Sequence, residues 1–261
     1  MSSTFGERRR FDVGRVFELT FGAIGANGLP LLLISLLFVG MPQAALVWAQ
    51  TMFIEQAATY DYEFFGLALI VGLVGFLLTL VGGVLMQGVV THTVVADLQG
   101  RKTSLGESLN VALRSFWVLV GVGIVSGVAI TLGLILLIVP GILIALIWMV
   151  AGPVAIAERT GVGRALERSR TLTRDHRWWL LLIAVIYFAV SWVLGILAGL
   201  LSLAIGGIDA ASSLNFASLV VGPVAQALST LIWGAMVAAA YVELRAVKEG
   251  GGKENVAAIF D

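Results

Sequence analysis

The sequence predicts an all-α protein that crosses a membrane with six helices, arranged as three repeats of an interfacial amphipathic helix and a transmembrane hairpin. Composition is the first indication, because 59% of the 261 residues are hydrophobic and only 12% are charged, about half the charged fraction of a soluble domain. The second is the grouping of apolar residues into long uncharged runs, which is typical of helices that cross a bilayer. The third is the position of the basic residues, which are grouped into a few segments between or beside the uncharged runs.

The number of spans follows from five uncharged runs, which cover 19–54, 64–96, 115–157, 178–208 and 210–242. A helix crosses the hydrocarbon in about 20 residues, so the run 115–157 is long enough for two spans. The pair Pro140–Gly141 is predicted to separate them, because proline stops a helix and the pair favours a turn. We therefore expect a single membrane domain, with an amphipathic cytoplasmic segment at 1–28, a bundle at 29–243 and a cytoplasmic tail at 244–261. Six helices are expected near 29–50, 66–95, 116–138, 142–158, 178–206 and 217–242.

The distribution of charge predicts the orientation of the chain. Of the seven segments outside the expected helices, four contain all 16 Lys and Arg residues, and the charged residues of the other three are acidic. Basic residues are enriched in cytoplasmic segments of membrane proteins, so both termini are expected to be cytoplasmic. The basic segments are the amino terminus (Arg8, Arg9, Arg10, Arg15), the second-to-third connection (Arg101, Lys102, Arg114), the fourth-to-fifth connection (Arg159, Arg164, Arg168, Arg170, Arg174, Arg177) and the tail (Arg245, Lys248, Lys253).

An internal repeat is visible in the sequence. Residues 12–34 align without gaps on 161–183, and 104–120 form a weaker third copy. Each copy continues through two expected spans, so the predicted repeat unit is a short amphipathic helix followed by a transmembrane hairpin. Near the start of each copy we expect a glycine that allows close approach to a neighbouring hairpin or to the headgroups: Gly14, Gly106 and Gly163.

Each second span of the three copies ends in an acidic residue that is followed closely by a base. None of these acids lies at the centre of an expected span, so we expect them to anchor helix ends where water and headgroups can solvate them. Ion binding is the alternative, because the three acids could converge if the hairpins pack around a pseudo-threefold axis. The acid–base pairs are Asp97 with Arg101, Glu158 with Arg159, and Glu243 with Arg245.

The densest basic cluster lies in the stretch "VGRALERSRTLTRDHRWWLLL" (162–182). Helical spacing places Val162, Leu166, Ser169 and Leu172 on one face, which predicts an interfacial helix with that face among acyl chains and its arginines at the phosphates. Two tryptophans then mark the headgroup level. The alternative is that the arginines only set the orientation of the chain. The candidate lipid- or partner-binding residues are Arg164, Arg168, Arg170, Arg174, Arg177, Trp178 and Trp179.

The residues that usually carry chemistry are scarce. The chain has no cysteine, and its two histidines, His92 and His176, lack the spacing of a metal site. His92 lies about one turn from Asp97, and we expect a hydrogen-bonded interfacial histidine there, with a proton relay as the alternative. Neither a phosphate-binding loop nor a nucleophile turn is present in the sequence. We therefore expect no enzymatic activity, no cofactor and no bound metal.

Three stretches resemble the membrane domain of bacterial glycerophosphodiester phosphodiesterases and related multi-spanning proteins. They are "IVPGILIALIWMVAGPVAIAE" (138–158), "GRALERSRTLTRDHRWWLLL" (163–182) and "AAAYVELRAVKEG" (238–250). The resemblance implies a multi-spanning fold in the bacterial cytoplasmic (inner) membrane. In that family the hydrolase is a separate domain, for which this sequence has no room, so phosphodiesterase activity is not expected.

Two functions remain in competition. The first is a non-catalytic membrane protein that organises lipids or partner proteins through its cytoplasmic arginine-rich helices. The second is a small transporter or channel that uses the interface between the hairpin repeats, as kinked and repeated helices do in transporters. Membrane lipids, in particular anionic headgroups, are the expected partners. A protein partner or a homo-oligomer stays open, and nucleic acid is not expected.

Overall fold

The protein is α-helical throughout the part of the chain that the computed structural model describes, which is 11–57, 62–206 and 216–260, and no strand occurs in it. The all-α class is therefore confirmed. Nine α-helices and one short π-helical segment (Leu36–Gly40) are present in these residues: α1 (Val13–Ser35), α2 (Met41–Ala57), α3 (Tyr62–Leu98), α4 (Leu105–Leu136), α5 (Ile138–Trp148), α6 (Ala151–Ala157), α7 (Val162–Thr173), α8 (Arg177–Gly206) and α9 (Phe216–Phe260).

Six helical stretches are long and apolar enough to cross a membrane, which confirms the predicted number of spans. The first combines α1, the π-helical segment and most of α2, and the fourth combines α5 with α6. The boundary expected between 28 and 29 lies close to a kink at Asn27, whose φ of −124° departs from helical values. The six stretches are Val13–Gln50, Ile70–Leu98, Leu105–Leu136, Ile138–Ala157, Arg177–Ile205 and Leu219–Glu249.

The turn inside the long run 115–157 lies earlier than predicted. The chain breaks at Leu137, which has extended backbone angles (φ −161°, ψ 143°). Pro140 does not end a helix here, because it occupies the first turn of α5, where the N–H group that proline lacks would have no helical acceptor. The prediction of a break at Pro140–Gly141 is therefore wrong by about one turn.

The three predicted repeat glycines occupy equivalent local positions, since Gly14, Gly106 and Gly163 are each the second residue of their helix. The close approach expected at these glycines is not observed. A Cβ atom would meet nothing within 4 Å at Gly106 or Gly163, and at Gly14 it would meet only Asp12, whose side chain accepts a hydrogen bond from the Gly14 N–H group. A repeat of whole hairpins stays a prediction.

The three predicted helix-end acids are not equivalent. Asp97 lies in the last turn of α3 and Glu158 directly follows α6, as expected. Glu243 lies inside α9, which continues to Phe260. The expected helix end near 242 is therefore wrong. Most of the residues after Glu243 are good helix formers, and Arg245 pairs with Glu249 one turn later at 2.7 Å.

The chain divides into two compact units. In the described residues the first contains 11–26, 88–185 and 234–260, and the second contains 27–57, 62–87 and parts of α8 and α9. Every Lys and Arg among the described residues belongs to the first unit, and the ranges of the second unit contain none. The first unit therefore contains the arginines and the neighbouring residues that are candidates for a functional site.

Within the second unit, a proline and a glycine set a close contact between two helices. Pro42 has no N–H group, so the carbonyl group of Phe38 cannot accept the usual α-helical hydrogen bond from it. This carbonyl group belongs to the π-helical segment and lies against Gly82 of α3, which is buried. A Cβ atom on Gly82 would overlap the Phe38 carbonyl oxygen. Only glycine fits at this contact.

We expect Gly82→Ala to lower the free energy of unfolding by about 1–3 kcal/mol, because the added methyl group must displace backbone. The neighbouring Gly83 provides the control, since a Cβ atom there would meet nothing within 4 Å, and Gly83→Ala should be neutral or slightly stabilising. The measurement is the thermal unfolding midpoint of each purified variant in the same detergent. Equal midpoints for the two variants would contradict this account of the contact.

Candidate functional site

Helix α7, which carries the arginine cluster, is fixed by hydrogen bonds to the end of α5. The carbonyl group of Ile147 lies in the last turn of α5, where helical carbonyl groups lack donors. Ser169 donates a hydrogen bond to this carbonyl group at 2.7 Å, and Thr173 lies 3.2 Å from the same oxygen. Both residues are fully buried. Two hydroxyl groups one turn apart therefore set the rotation of α7.

The buried face of α7 packs on protein and is not available to acyl chains. Ala165, Ser169, Leu172 and Thr173 are buried, and α7 contacts α4, α5 and α6. The predicted apolar face is therefore correct for Ser169 and Leu172, which are buried, but these two side chains pack on protein and not among the expected acyl chains. Half of the buried residues carry hydroxyl groups, which need acceptors that lipid chains do not offer, whereas the end of α5 supplies one.

One arginine of the cluster belongs to an ion network. Arg168 donates from Nε to Glu158 Oε1 at 3.1 Å and from Nη2 to Glu249 Oε1. Tyr241 donates to the same Glu158 oxygen at 3.2 Å, and Arg245 donates to Glu249 Oε2 at 2.7 Å. These five residues, the Arg168 network, join α7 to the end of α6 and to α9.

The extension of α9 also holds the carboxyl end of α7. Lys248 donates to the carbonyl oxygen of Thr171 at 2.7 Å, and its Nζ atom lies 3.6 Å from Asp175. The Thr171 carbonyl group is one of the last four of α7 and has no helical donor. Asp175, just beyond the helix, has a positive φ of 76°. A lysine on α9 thus stabilises the point where the chain leaves α7.

The predicted helix-end acids do not pair with the bases that follow them in sequence. Glu158 pairs with Arg168, and Glu243, which is only 1% exposed, lies 3.5 Å from Nε of Arg15. Asp97 forms no ion pair with any residue whose side chain the structure describes. The expected base Arg245 was wrong because residues two positions apart on a helix point in different directions. Arg159 was wrong because it lies in the turn after α6, with a positive φ of 51°.

The remaining arginines of the cluster face outward. Arg164, Arg170 and Arg174 are exposed, and within the described side chains none of them has an ion pair. Arg177 is half-buried, and its Nε atom is enclosed with no hydrogen-bond partner among the described residues. Next to it, Trp178 is 82% exposed and Trp179 49% exposed. Of the seven predicted residues, Arg168 is thus held inside the protein and most of the others are at its surface.

Both histidines contact other side chains of the protein. His92 Nδ1 lies 3.0 Å from Ser108 Oγ, which in turn lies 3.0 Å from Thr93 Oγ1. This contact joins α3 to α4 through Ser108, and it gives His92 the hydrogen bond that the sequence predicted without naming a partner. His176 packs its ring 5.5 Å from that of Phe11. No group of three or more His, Asp and Glu that could hold a metal ion occurs among the residues described.

No protein-family model matches this chain, and neither a curated protein nor a solved structure matches it.

We expect Arg168→Gln to lower the free energy of unfolding by about 1–2 kcal/mol, between the values for exposed and buried ion pairs. The reason is that Glu158 and Glu249, with side chains 20% and 39% exposed, lose their shared partner. Arg164→Gln is the matched control on the same helix, and it should change stability by less than about 0.5 kcal/mol. Titration of both variants with denaturing detergent measures the difference. If Arg164→Gln costs as much as Arg168→Gln, the Arg168 network does not stabilise α7.

Proposed function

We propose that this protein is a non-catalytic component of the bacterial cytoplasmic membrane that binds anionic lipid headgroups. The binding site is the arginine surface, formed by Arg164, Arg170, Arg174, Trp178 and Trp179. One observation carries the proposal: Glu158 and Glu249 neutralise Arg168, whereas Arg164, Arg170 and Arg174 are exposed and have no ion pair with a described residue. Positive charge is thus presented on a helix whose opposite face is fixed.

The chemistry of the arginine surface suits lipid phosphates. A guanidinium group can donate two parallel hydrogen bonds to a phosphate, and it keeps its charge at every physiological pH. The anionic inner leaflet attracts each such residue by about 1 kcal/mol. The exposed indole of Trp178 suits the headgroup level, where tryptophan is enriched.

The fixed backbone of α7 favours a binding role over a purely topological one. Orientation of a membrane chain requires only positive charge on the cytoplasmic side, which a mobile loop supplies equally well. Here Ser169, Thr173 and Lys248 hold the helix through specific hydrogen bonds. A helix held in this way presents its arginines without paying much further entropy when a headgroup binds.

The test compares two triple variants that each lose three positive charges. The first replaces Arg164, Arg170 and Arg174 with glutamine. The second, as a control, replaces the exposed residues Arg101, Lys102 and Arg114. We expect the first variant to bind cardiolipin and phosphatidylglycerol roughly 100- to 200-fold more weakly, since three arginines at about 1 kcal/mol each contribute about 3 kcal/mol, and the control to bind nearly as the parent does. Native mass spectrometry with titrated lipid measures the affinities, with phosphatidylcholine as the neutral reference.

Two results would overturn the proposal. Equal weakening in both triple variants would mean that total charge, and not the arginine surface, determines lipid binding. Unchanged binding in the first variant, with normal membrane insertion, would leave the exposed arginines with the topological role alone.

A further inference from the structure

The turn between α4 and α5 has no polar side chain. We call residues 134–139 the hairpin tip. Its side chains are Leu, Ile and Val, and all of them are exposed, Ile135 and Leu136 by 75% and 77%. No side chain from 132 to 157 is charged, and the indole of Trp148 is the only one that can donate a hydrogen bond. A connection that emerged into water would expose this apolar surface, which is unfavourable.

Part of the backbone at the hairpin tip is paired internally. The N–H group of Leu137, the one extended residue, donates to the carbonyl group of Gly133 at 3.0 Å. Its own carbonyl group lies 3.5 Å from the N–H group of Gly141. Pro140 removes one further N–H group that the first turn of α5 would leave without an acceptor. Each of these features reduces the number of backbone groups that would lack a partner in lipid.

Two glycines close the hairpin without leaving room for water between its legs. A Cβ atom on Gly133 would lie 2.9 Å from the Cα atom of Gly141, and a Cβ atom on Gly141 would overlap Leu134. Close contact between small residues is the usual way in which helices pack inside a membrane. The hairpin is therefore closed up to its tip.

Each leg of the hairpin is about as long as the hydrocarbon core is thick. Residues 115–136, between the last charge of α4 at Arg114 and the tip, rise roughly 33 Å as a helix. The returning stretch Ile138–Ala157, which Glu158 follows, has 20 residues and rises at most roughly 30 Å, because the break at 149–150 separates α5 from α6. The hydrocarbon core is about 30 Å thick, and Trp117, which is 79% exposed, suits the headgroup level near Arg114. Any tilt of the helices draws the tip further inside.

The other connections expected on the non-cytoplasmic side are charged, whereas the hairpin tip is apolar. They include Asp61 and Asp209, which lie outside the described residues. The charge distribution does not decide whether the hairpin tip emerges, because both of its legs return to the basic side in either case.

We propose that the hairpin tip is embedded in the acyl chains of the far leaflet and does not reach water. The α4–α5 hairpin then ends inside the membrane, and lipid acyl chains surround its tip. This inference is independent of headgroup binding at the arginine surface.

The natural chain has no cysteine, so single cysteines can report the environment of the tip without background. Leu136→Cys and Ile138→Cys replace exposed tip residues, and Asp209→Cys is the control in a charged connection. Unsealed membrane fragments make both faces accessible to a charged, water-soluble maleimide. We expect labelling at the two tip positions to be at least about tenfold slower than at the control, and denaturation with sodium dodecyl sulphate to make all three react fully.

A second measurement distinguishes lipid from a covering protein chain. A bimane fluorophore attached at position 138 should be quenched by phosphatidylcholine with brominated acyl chains and scarcely by aqueous iodide. Labelling of the tip cysteines as fast as the Asp209→Cys control would overturn the proposal. Slow labelling without quenching by brominated chains would overturn it as well, because a second copy or another protein would then cover the tip.

Discussion

A charged side chain is costly in the hydrocarbon core of a bilayer, and the arrangement of this protein follows from that cost. Its apolar runs form six helices that are long enough to cross. Every described Lys and Arg belongs to one compact unit, and the ranges of the other unit contain none. All ion pairs among the described side chains occur in that unit, and so do the contacts of Ser169 and Thr173 with the end of α5.

Helix α7 shows how this confinement produces a specific surface. The carbonyl group at the end of α5 needs a donor, and Ser169 and Thr173 supply it from the buried face of α7. This contact leaves Arg168 between two carboxylates and turns three other arginines outward. The hydrogen bonds of Ser169 and Thr173 thus determine which arginine of the cluster is held in ion pairs and which arginines form the exposed surface. Residue counts and net charge do not reveal this difference.

Sequence predicted the features that depend on composition and missed those that depend on distant partners. Apolar run length indicated six spans. The helix starts at Val13, Leu105 and Val162 lie one residue after the predicted starts of the three copies, whereas a repeat of whole hairpins stays a prediction. The partner of Glu158 is ten residues away, and that of Glu243 lies at the other end of the chain, so sequence proximity suggested the wrong bases. Ser108, the partner of His92, had no sequence signal at all, since an isolated serine in an amphipathic segment is common.

We propose that the four basic segments of the chain, and with them the arginine surface, lie on the cytoplasmic side of the membrane. Reporter domains that are active only on one side of the membrane test this orientation when fused after Asp61, Lys102, Asp209 and Lys253. We expect a non-cytoplasmic signal after Asp61 and Asp209 and a cytoplasmic signal after Lys102 and Lys253, because basic segments are enriched on the cytoplasmic side. A non-cytoplasmic signal after Lys102 or Lys253 would show that the proposed orientation is wrong.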